Sequence, residues 1–123
     1  MQMHMSRVIL YVRDVARLKD FYETRFGFQI IEEIPGEWAV LQAGQIELAL
    51  HLAGPAYRAA QNQTTQSNIK LVFTIKSGLA QMRAKLEEAG VSVGKIKRYS
   101  GFPYSLCDGL DPEGNVFQLS EPD

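Results

Sequence analysis

The sequence predicts an α+β fold made of two βαβββ modules, and three observations support this prediction. The segment Arg7–Val12 recurs, position by position, as residues 70–75. Each copy is followed by a residue that can cap a helix and then by a glycine that can end one, Gly27 in the first copy and Gly90 in the second. Three short strand-like segments follow each helical pattern. A repeated strand and helix in a chain of 123 residues predict two equivalent modules of one domain.

The first module begins with the strand Arg7–Val12, which is apolar, β-branched or aromatic after its first residue. Asp14 is placed to cap the next helix, in which apolar residues recur at helical spacing up to Gly27. Breaks at residues 35–36 and 43–44 then separate three strands, which we expect at 28–33, 38–42 and 45–52.

The second module repeats this order. A polar linker at 54–68, with a possible helical turn at 56–60, separates the modules, which we place at about 6–53 and 69–121. After the strand at 70–75, Ser77 is the expected cap of a helix that ends at Gly90. Three strands follow near 91–97, 104–108 and 115–120, and the turn at 111–115 joins the last two.

Alternation along the strands predicts which side chains share a face. In four strands one face is apolar and is expected to meet the helix. The opposite face mixes charged, amide, imidazole and small apolar groups, as a ligand-binding surface would. Its members are Arg7, Ile9 and Tyr11; Glu47, Ala49 and His51; Lys70, Val72 and Thr74; and Val116, Gln118 and Ser120.

Composition excludes several classes of function. A formal net charge of −1, with scattered basic residues, argues against nucleic acid as a partner. Residues 1–5 lack the apolar stretch of a secretory leader and no apolar run approaches about 18 residues, so we expect neither a leader nor a membrane partner. The single cysteine, Cys107, cannot form an intrachain disulfide and suits a cytoplasmic location.

The chain resembles the vicinal oxygen chelate superfamily, which includes glyoxalase I, bleomycin resistance proteins, fosfomycin resistance enzymes and extradiol dioxygenases. The resemblance covers nearly the whole chain. It implies curved mixed sheets that form a cup with the helices outside, in a protein that is commonly a homodimer. The segments that carry it are Val12-Arg13-Asp14, Asp20-Phe21-Tyr22-Glu23, Phe26-Gly27-Phe28, Ile46-Glu47-Leu48 and Asp111-Pro112-Glu113-Gly114-Asn115.

The resemblance also implies where a metal ion would bind. In metal-dependent members one ligand comes from each of the first, fourth, fifth and eighth strands, and the matching positions here are Arg7, Glu47, Lys70 and Gln118. Only Glu47 is a good ligand, because a guanidinium group keeps its proton and an ammonium group has no free lone pair. We therefore expect no metal ion at the usual position, and no cofactor. A displaced metal site would have to recruit His51.

These positions instead predict a binding site for a small, anionic molecule. Two cations beside one carboxylate and one amide leave a surplus positive charge that attracts an anionic group. The carboxylate and the amide would orient the molecule, and two aromatic rings would pack on its apolar part. The candidate binding residues are Arg7, Glu47, Lys70, Gln118, Tyr11 and Trp38.

Three other interpretations stay open on the sequence alone. The charged residues could form a purely structural salt-bridge cluster. The protein could be a metal-dependent lyase, isomerase or dioxygenase with a displaced metal site, and His51 is the candidate general acid or base. A third possibility is a dimer whose cup is filled by its own side chains. The sequence does not decide whether the protein is an enzyme, which ligand it takes, or whether the modules pair within one chain or between two.

Overall fold

The computed structural model describes residues 2–55 and 69–123, and the chain divides into two compact units, Met1–Gln63 and Thr64–Asp123. Most of the predicted linker, including the predicted turn at 56–60, lies outside the described residues. The prediction that both units belong to one domain stays a prediction. In the described part of the chain, no helix has the length and the hydropathy that a membrane crossing requires.

The first unit has the predicted βαβββ order. Strand β1 is parallel to β4, whereas β2, β3 and β4 follow one another in antiparallel pairs, so the sheet order is β1-β4-β3-β2. Its elements are β1 (Arg7–Val12), α1 (Val15–Phe26), β2 (Gln29–Ile34), β3 (Trp38–Ala43) and β4 (Ile46–Leu52).

Helix α1 begins and ends where the sequence predicts. The Asp14 carboxylate accepts a hydrogen bond from the Arg17 amide at 3.0 Å, and Gly27 ends the helix with a φ of 73°. That left-handed conformation favours glycine, which has no Cβ. The apolar stripe of α1 is buried and packs on the sheet; it consists of Val15, Leu18, Phe21 and Tyr22. The opposite face of the sheet is thereby left for the polar residues.

The second unit repeats this topology with a smaller sheet. Strand β5 is parallel to β7, β7 is antiparallel to β6, and the order is β5-β7-β6. Its elements are β5 (Lys70–Thr74), α2 (Leu79–Glu88), β6 (Tyr104–Leu110) and β7 (Val116–Pro122). The α+β class is therefore as predicted, but residues 69–123 contain three strands where a second βαβββ module would have four.

Two local predictions in this unit are wrong. The segment 91–97 is not a continuous strand, because it meets β6 only at two isolated bridges, Val93 with Gly109 and Lys97 with Leu106. Ser77 is not the cap of α2: the N-cap is Gly78, which has no side chain to offer. The carboxylate of Glu121 accepts from the first helical amide, that of Leu79, at 3.2 Å instead. A residue distant in sequence therefore replaces the local cap.

Candidate functional site

The register of the first sheet brings the predicted residues together in two rows. Arg7 lies opposite Glu47 across the parallel pair β1 and β4. Further along the same strands, Tyr11 lies opposite His51, and His51 lies opposite Trp38 of β3. These five residues are on the face of the sheet that does not carry the buried Leu48 and Leu50. We call this surface the polar face of the first sheet.

Arg7 and Glu47 form an ion pair on this face. Both Nε and one terminal nitrogen of Arg7 contact the same oxygen of Glu47, Oε1, at 2.8 and 2.7 Å. The two side chains are about one third exposed, at 36% and 30%. A guanidinium group has five N–H donors, so the contact with one oxygen leaves further donors for another acceptor.

Aromatic rings form the second row. The Tyr11 and His51 ring centroids are 5.2 Å apart, and His51 meets Trp38 edge to face at 5.6 Å. The Arg7 guanidinium carbon lies 5.5 Å from the Trp38 ring centroid, within the range of a cation–π contact. The Trp38 indole N–H donates to Glu32 at 2.7 Å, which fixes the orientation of the ring. Arg7 thus connects the charged row with the aromatic row.

The orientation of His51 follows from its hydrogen bond. Its Nδ1 lies 2.8 Å from the Leu52 carbonyl oxygen, which can only accept, so Nδ1 carries the proton. The neutral ring then has its lone pair on Nε2. His51 is four residues from Glu47 along β4, or about 13 Å of extended strand, so the two side chains are too far apart to share one metal ion.

The second unit pairs its charges in a way that the sequence analysis did not predict. Lys70 donates to Oδ2 of Asp108 at 2.8 Å. Gln118 lies opposite Asp108 in the antiparallel pair β6 and β7, and opposite Val72 in the parallel pair β5 and β7. At the candidate positions, each unit therefore pairs one cation with one carboxylate. The surplus positive charge that we inferred for the four candidate positions is balanced once Asp108 is included.

Asp108 is the functional candidate that sequence reasoning missed, although a signal for it exists. The turn at 111–115 is short, and it sets Leu110 opposite Val116. Antiparallel pairing then places Asp108 opposite Gln118, on the same face. Applying this register to the sequence would have found the second carboxylate.

The donor sets in the two units do not fit the metal ion that the superfamily resemblance implies. Glu47 is engaged by Arg7, and the position that matches a ligand in the second unit, Lys70, is an ammonium group bound to Asp108. Across residues 2–55 and 69–123, no three histidine, cysteine, aspartate or glutamate side chains are grouped as a metal site requires. An arginine or lysine at a ligand position would repel a divalent ion.

Cys107 is a buried residue of β6. Burial raises the pKa of its thiol; the nearby positive charge of Arg83 opposes this shift and the negative charge of Asp108 adds to it. A nucleophilic cysteine needs the opposite shift. Cys107 therefore contributes packing rather than covalent chemistry.

The family model described as Glyoxalase/Bleomycin resistance protein/Dioxygenase superfamily matches residues 4–119 of this chain. The chain is similar to the solved structure of a glyoxalase/bleomycin resistance protein/dioxygenase family enzyme from Burkholderia phytofirmans PsJN, with 25% identity and a TM-score of 0.79 over 96% of this chain and 98% of that one.

Two further solved structures share the fold at lower identity. The fosfomycin resistance protein FosX from Listeria monocytogenes is 13% identical, with a TM-score of 0.80 over 100% of this chain and 96% of its own. TnmS3, an antibiotic binding protein from Streptomyces sp. CB03234, is 23% identical, with a TM-score of 0.78 over 99% and 98%. At these identities the similarity establishes the fold and leaves the ligand and the chemistry open.

Proposed function

We propose that this chain, which belongs to the Glyoxalase/Bleomycin resistance protein/Dioxygenase superfamily, binds a small, flat, anionic molecule on the polar face of its first sheet without using a metal ion. The observation that carries the proposal is the position of Arg7, which contacts Glu47 and lies over the Trp38 ring. In this arrangement the Glu47 carboxylate is paired with the Arg7 guanidinium, and a charged surface lies beside an aromatic one. Sequestration or sensing of the molecule is the role that suits such a site.

The chemistry of the face supports this ligand class. The Arg7 donors that do not contact Glu47 can bind a carboxylate, a sulfonate or a phosphate group. Trp38 and Tyr11 offer ring surface to a flat apolar part, and Tyr11 is 64% exposed. Lys70 and Gln118 stay candidate binding residues in the second unit. TnmS3, by its description an antibiotic binding protein, is a precedent for binding in a chain of this fold.

A matched pair of dyes tests the proposal. 8-Anilinonaphthalene-1-sulfonate is aromatic and anionic, and N-phenyl-1-naphthylamine has the same ring system without the sulfonate. Trp38 is the only tryptophan, so energy transfer from it reports binding near this face. We expect the sulfonate to bind at least tenfold more tightly, because a charge-assisted hydrogen bond contributes about 1.5–3 kcal/mol.

Variants assign the binding to named residues. The double variant Arg7→Gln with Glu47→Gln removes the ion pair and leaves the net charge unchanged, so a loss of preference for the sulfonate reports the local donors of Arg7. Trp38→Phe keeps a ring but removes the energy donor, and dye emission on direct excitation then measures whether affinity is retained. Equal affinity for the two dyes in the wild-type protein would contradict the anionic part of the proposal. A dye that binds without quenching Trp38 would contradict the location.

Metal independence has its own measurement. Elemental analysis of untagged protein prepared without chelators is combined with melting curves in Mn, Fe, Ni or Zn against EDTA. We expect neither a stoichiometric ion nor a shift of several degrees at saturating metal. A stoichiometric ion, or a melting shift of several degrees, would make a metal-dependent lyase, isomerase or dioxygenase activity the leading candidate function.

A gain-of-function variant tests the four aligned positions. Replacing the unsuitable groups by Arg7→His, Lys70→His and Gln118→Glu supplies donors that divalent ions accept. If the four positions form one site, as the superfamily resemblance implies, the triple variant should bind Ni or Zn together with Glu47. A folded triple variant without metal affinity would show that the alignment of these positions is wrong.

We also propose that the protein is a homodimer, as the resemblance implies, and that it is cytoplasmic, which its single cysteine suits. Light scattering coupled to size-exclusion chromatography gives the mass in solution. A mass of one 13.8 kDa chain across the accessible concentration range would contradict the dimer.

A further inference from the structure

The segment before β1 has a composition that the proposed function does not use. It reads Met1-Gln2-Met3-His4-Met5, so it holds three of the four methionines of the chain and one of its two histidines. Methionine usually fills gaps in an apolar core. Here Met3 is 89% exposed and Met5 is 71% exposed. Their side chains therefore contribute little to the packing of the protein.

The donors in this segment suit a soft metal ion. Two thioether sulfurs flank the imidazole of His4, which is exposed as well. The segment contains no carboxylate, which hard ions such as Mg²⁺ and Ca²⁺ require. Zn²⁺ takes thiolate, imidazole and carboxylate ligands rather than thioethers. Thioethers select Cu(I), and imidazole also binds copper, so this donor set favours Cu(I) over the other ions.

The geometry of the chain allows these donors to converge. Residues 2–6 belong to no helix or strand, and pairing with β4 begins where the Glu47 amide donates to the Ser6 carbonyl oxygen at 2.9 Å. In an extended chain Met3 and Met5 would point to one side, with their Cα atoms about 7 Å apart. Each sulfur is reached through three rotatable bonds, so both sulfurs can approach one ion. A turn at His4 brings the imidazole to the same ion, and residues 2–5 have no strand pairing that opposes the turn.

We propose that residues 3–5 bind Cu(I) through two thioether sulfurs and one imidazole nitrogen. Cu(I) tolerates low coordination numbers, so three donors are sufficient, as in trigonal copper sites. The cation that follows in sequence, Arg7, is paired with Glu47, which reduces its repulsion of a monovalent ion. The site lies outside the polar face of the first sheet, and the metal-independent binding proposed there does not depend on it.

Cu(I) and its redox-stable analogue Ag(I) test the proposal. Cu(I) is supplied as its acetonitrile complex under anaerobic conditions, and its affinity is measured by calorimetry. Ag(I) is titrated in chloride-free buffer into protein that carries ¹³C in its methionine methyl groups. We expect one ion per chain, with NMR shifts at Met3 and Met5. Met82, which is half-buried in α2, is the internal reference and should not shift. Zn²⁺ at the same concentration should shift none of these signals.

Variants then test the named ligands. Met3→Leu with Met5→Leu keeps apolar side chains of similar size but removes both sulfurs, and it should weaken Cu(I) binding at least about tenfold. His4→Asn removes the imidazole and should also weaken binding. The matched control is Met82→Leu, which removes a sulfur outside the segment and should leave the affinity unchanged. Cys107→Ala removes the only thiol and should also leave the affinity unchanged, because that thiol is buried.

The substitutions at residues 3–5 lie outside every helix and strand, so they leave the fold intact. Shifts at Met3 and Met5 together with weaker binding in their double variant support the proposal. Equal Cu(I) affinity in that double variant, loss of binding in Cys107→Ala, shifts confined to Met82, or no saturable binding of either ion would overturn it. Copper in protein prepared for elemental analysis belongs to this segment if the double variant lacks it, and that result leaves the proposal for the first sheet standing.

Discussion

Replacing Asp111 by alanine should destabilise the second unit by about 2–3 kcal/mol. Asp111 is 4% exposed and organises the turn between β6 and β7. Its Oδ1 accepts from the amides of Glu113 and Asn115, both at 2.9 Å, and from the Asn115 side chain at 3.1 Å. Its Oδ2 accepts from the same side chain at 2.9 Å.

The magnitude follows from these contacts. Alanine leaves two backbone amides and one side-chain amide without their acceptor. A hydrogen bond to a charged group contributes about 1.5–3 kcal/mol when the freed donor stays buried. Glu113 and Asn115 are half-buried, so water can partly replace the carboxylate. About 1 kcal/mol for each backbone amide, as for a lost helix cap, with a smaller contribution from the side chain gives the expected total.

Urea unfolding measures this loss. For a chain of this size the free energy of unfolding falls by about 1.5 kcal/mol per molar urea. The urea concentration at the midpoint of unfolding should therefore fall by about 1–2 M. Asp111→Asn keeps an acceptor without the charge and should lie between wild type and Asp111→Ala. Asp20→Ala, at an exposed helical position, is the control and should change stability by less than about 0.5 kcal/mol. A loss in Asp111→Ala no larger than in this control would refute the reasoning.

Four further predictions concern packing, capping and cooperativity. Gly109→Ala should cost about 1–3 kcal/mol, measured by thermal melting, because a Cβ would overlap the Phe117 ring and lie 2.9 Å from the Ser92 carbonyl oxygen. Asp14→Ala should cost about 1 kcal/mol in the same assay through loss of the α1 cap. Burial raises the pKa of Cys107 in the folded protein. The stability that the buried, neutral thiol contributes is therefore complete below the pKa of the unfolded thiol and is lost as the pH rises towards the folded pKa. A thiol reagent at about pH 8 should react rapidly with Cys107 only after unfolding. If the two units form one domain, Trp38 fluorescence, which reports the first unit, should unfold together with the circular dichroism of the whole chain, and separate transitions would contradict that prediction.

Much of the fold was predictable because it depends on local periodicity. The alternation of Val8, Leu10 and Val12 with Ile9 and Tyr11 follows from strand geometry, and the exposure along β1 agrees with it. Residues that end helices are also local signals, as Asp14 and Gly27 show. The cap of α2 was missed because a carboxylate from β7 supplies it, and no pattern near Ser77 indicates this contact.

The candidate site was predictable in its members but not in its pairings. The alternation of side chains along the strands placed Arg7 and Glu47 on one face, and the structure brings them into contact. The partner of Lys70 is Asp108, which is 38 residues away in sequence. Which groups a long, flexible side chain can contact depends on how the strands pair. The contacts therefore depend on strand register as well as on the alternation of side chains.

The sequence by itself determined the repeated modules, the α+β class and the face on which each strand carries its polar residues. These features follow from periods of 2 and 3.6 residues that covalent geometry imposes on any chain. The tertiary structure decided that Arg7 lies over Trp38, that Asp108 balances Lys70, and that segment 91–97 meets β6 only at two isolated bridges. Each of these depends on contacts between residues distant in sequence, which only the paired strands bring together.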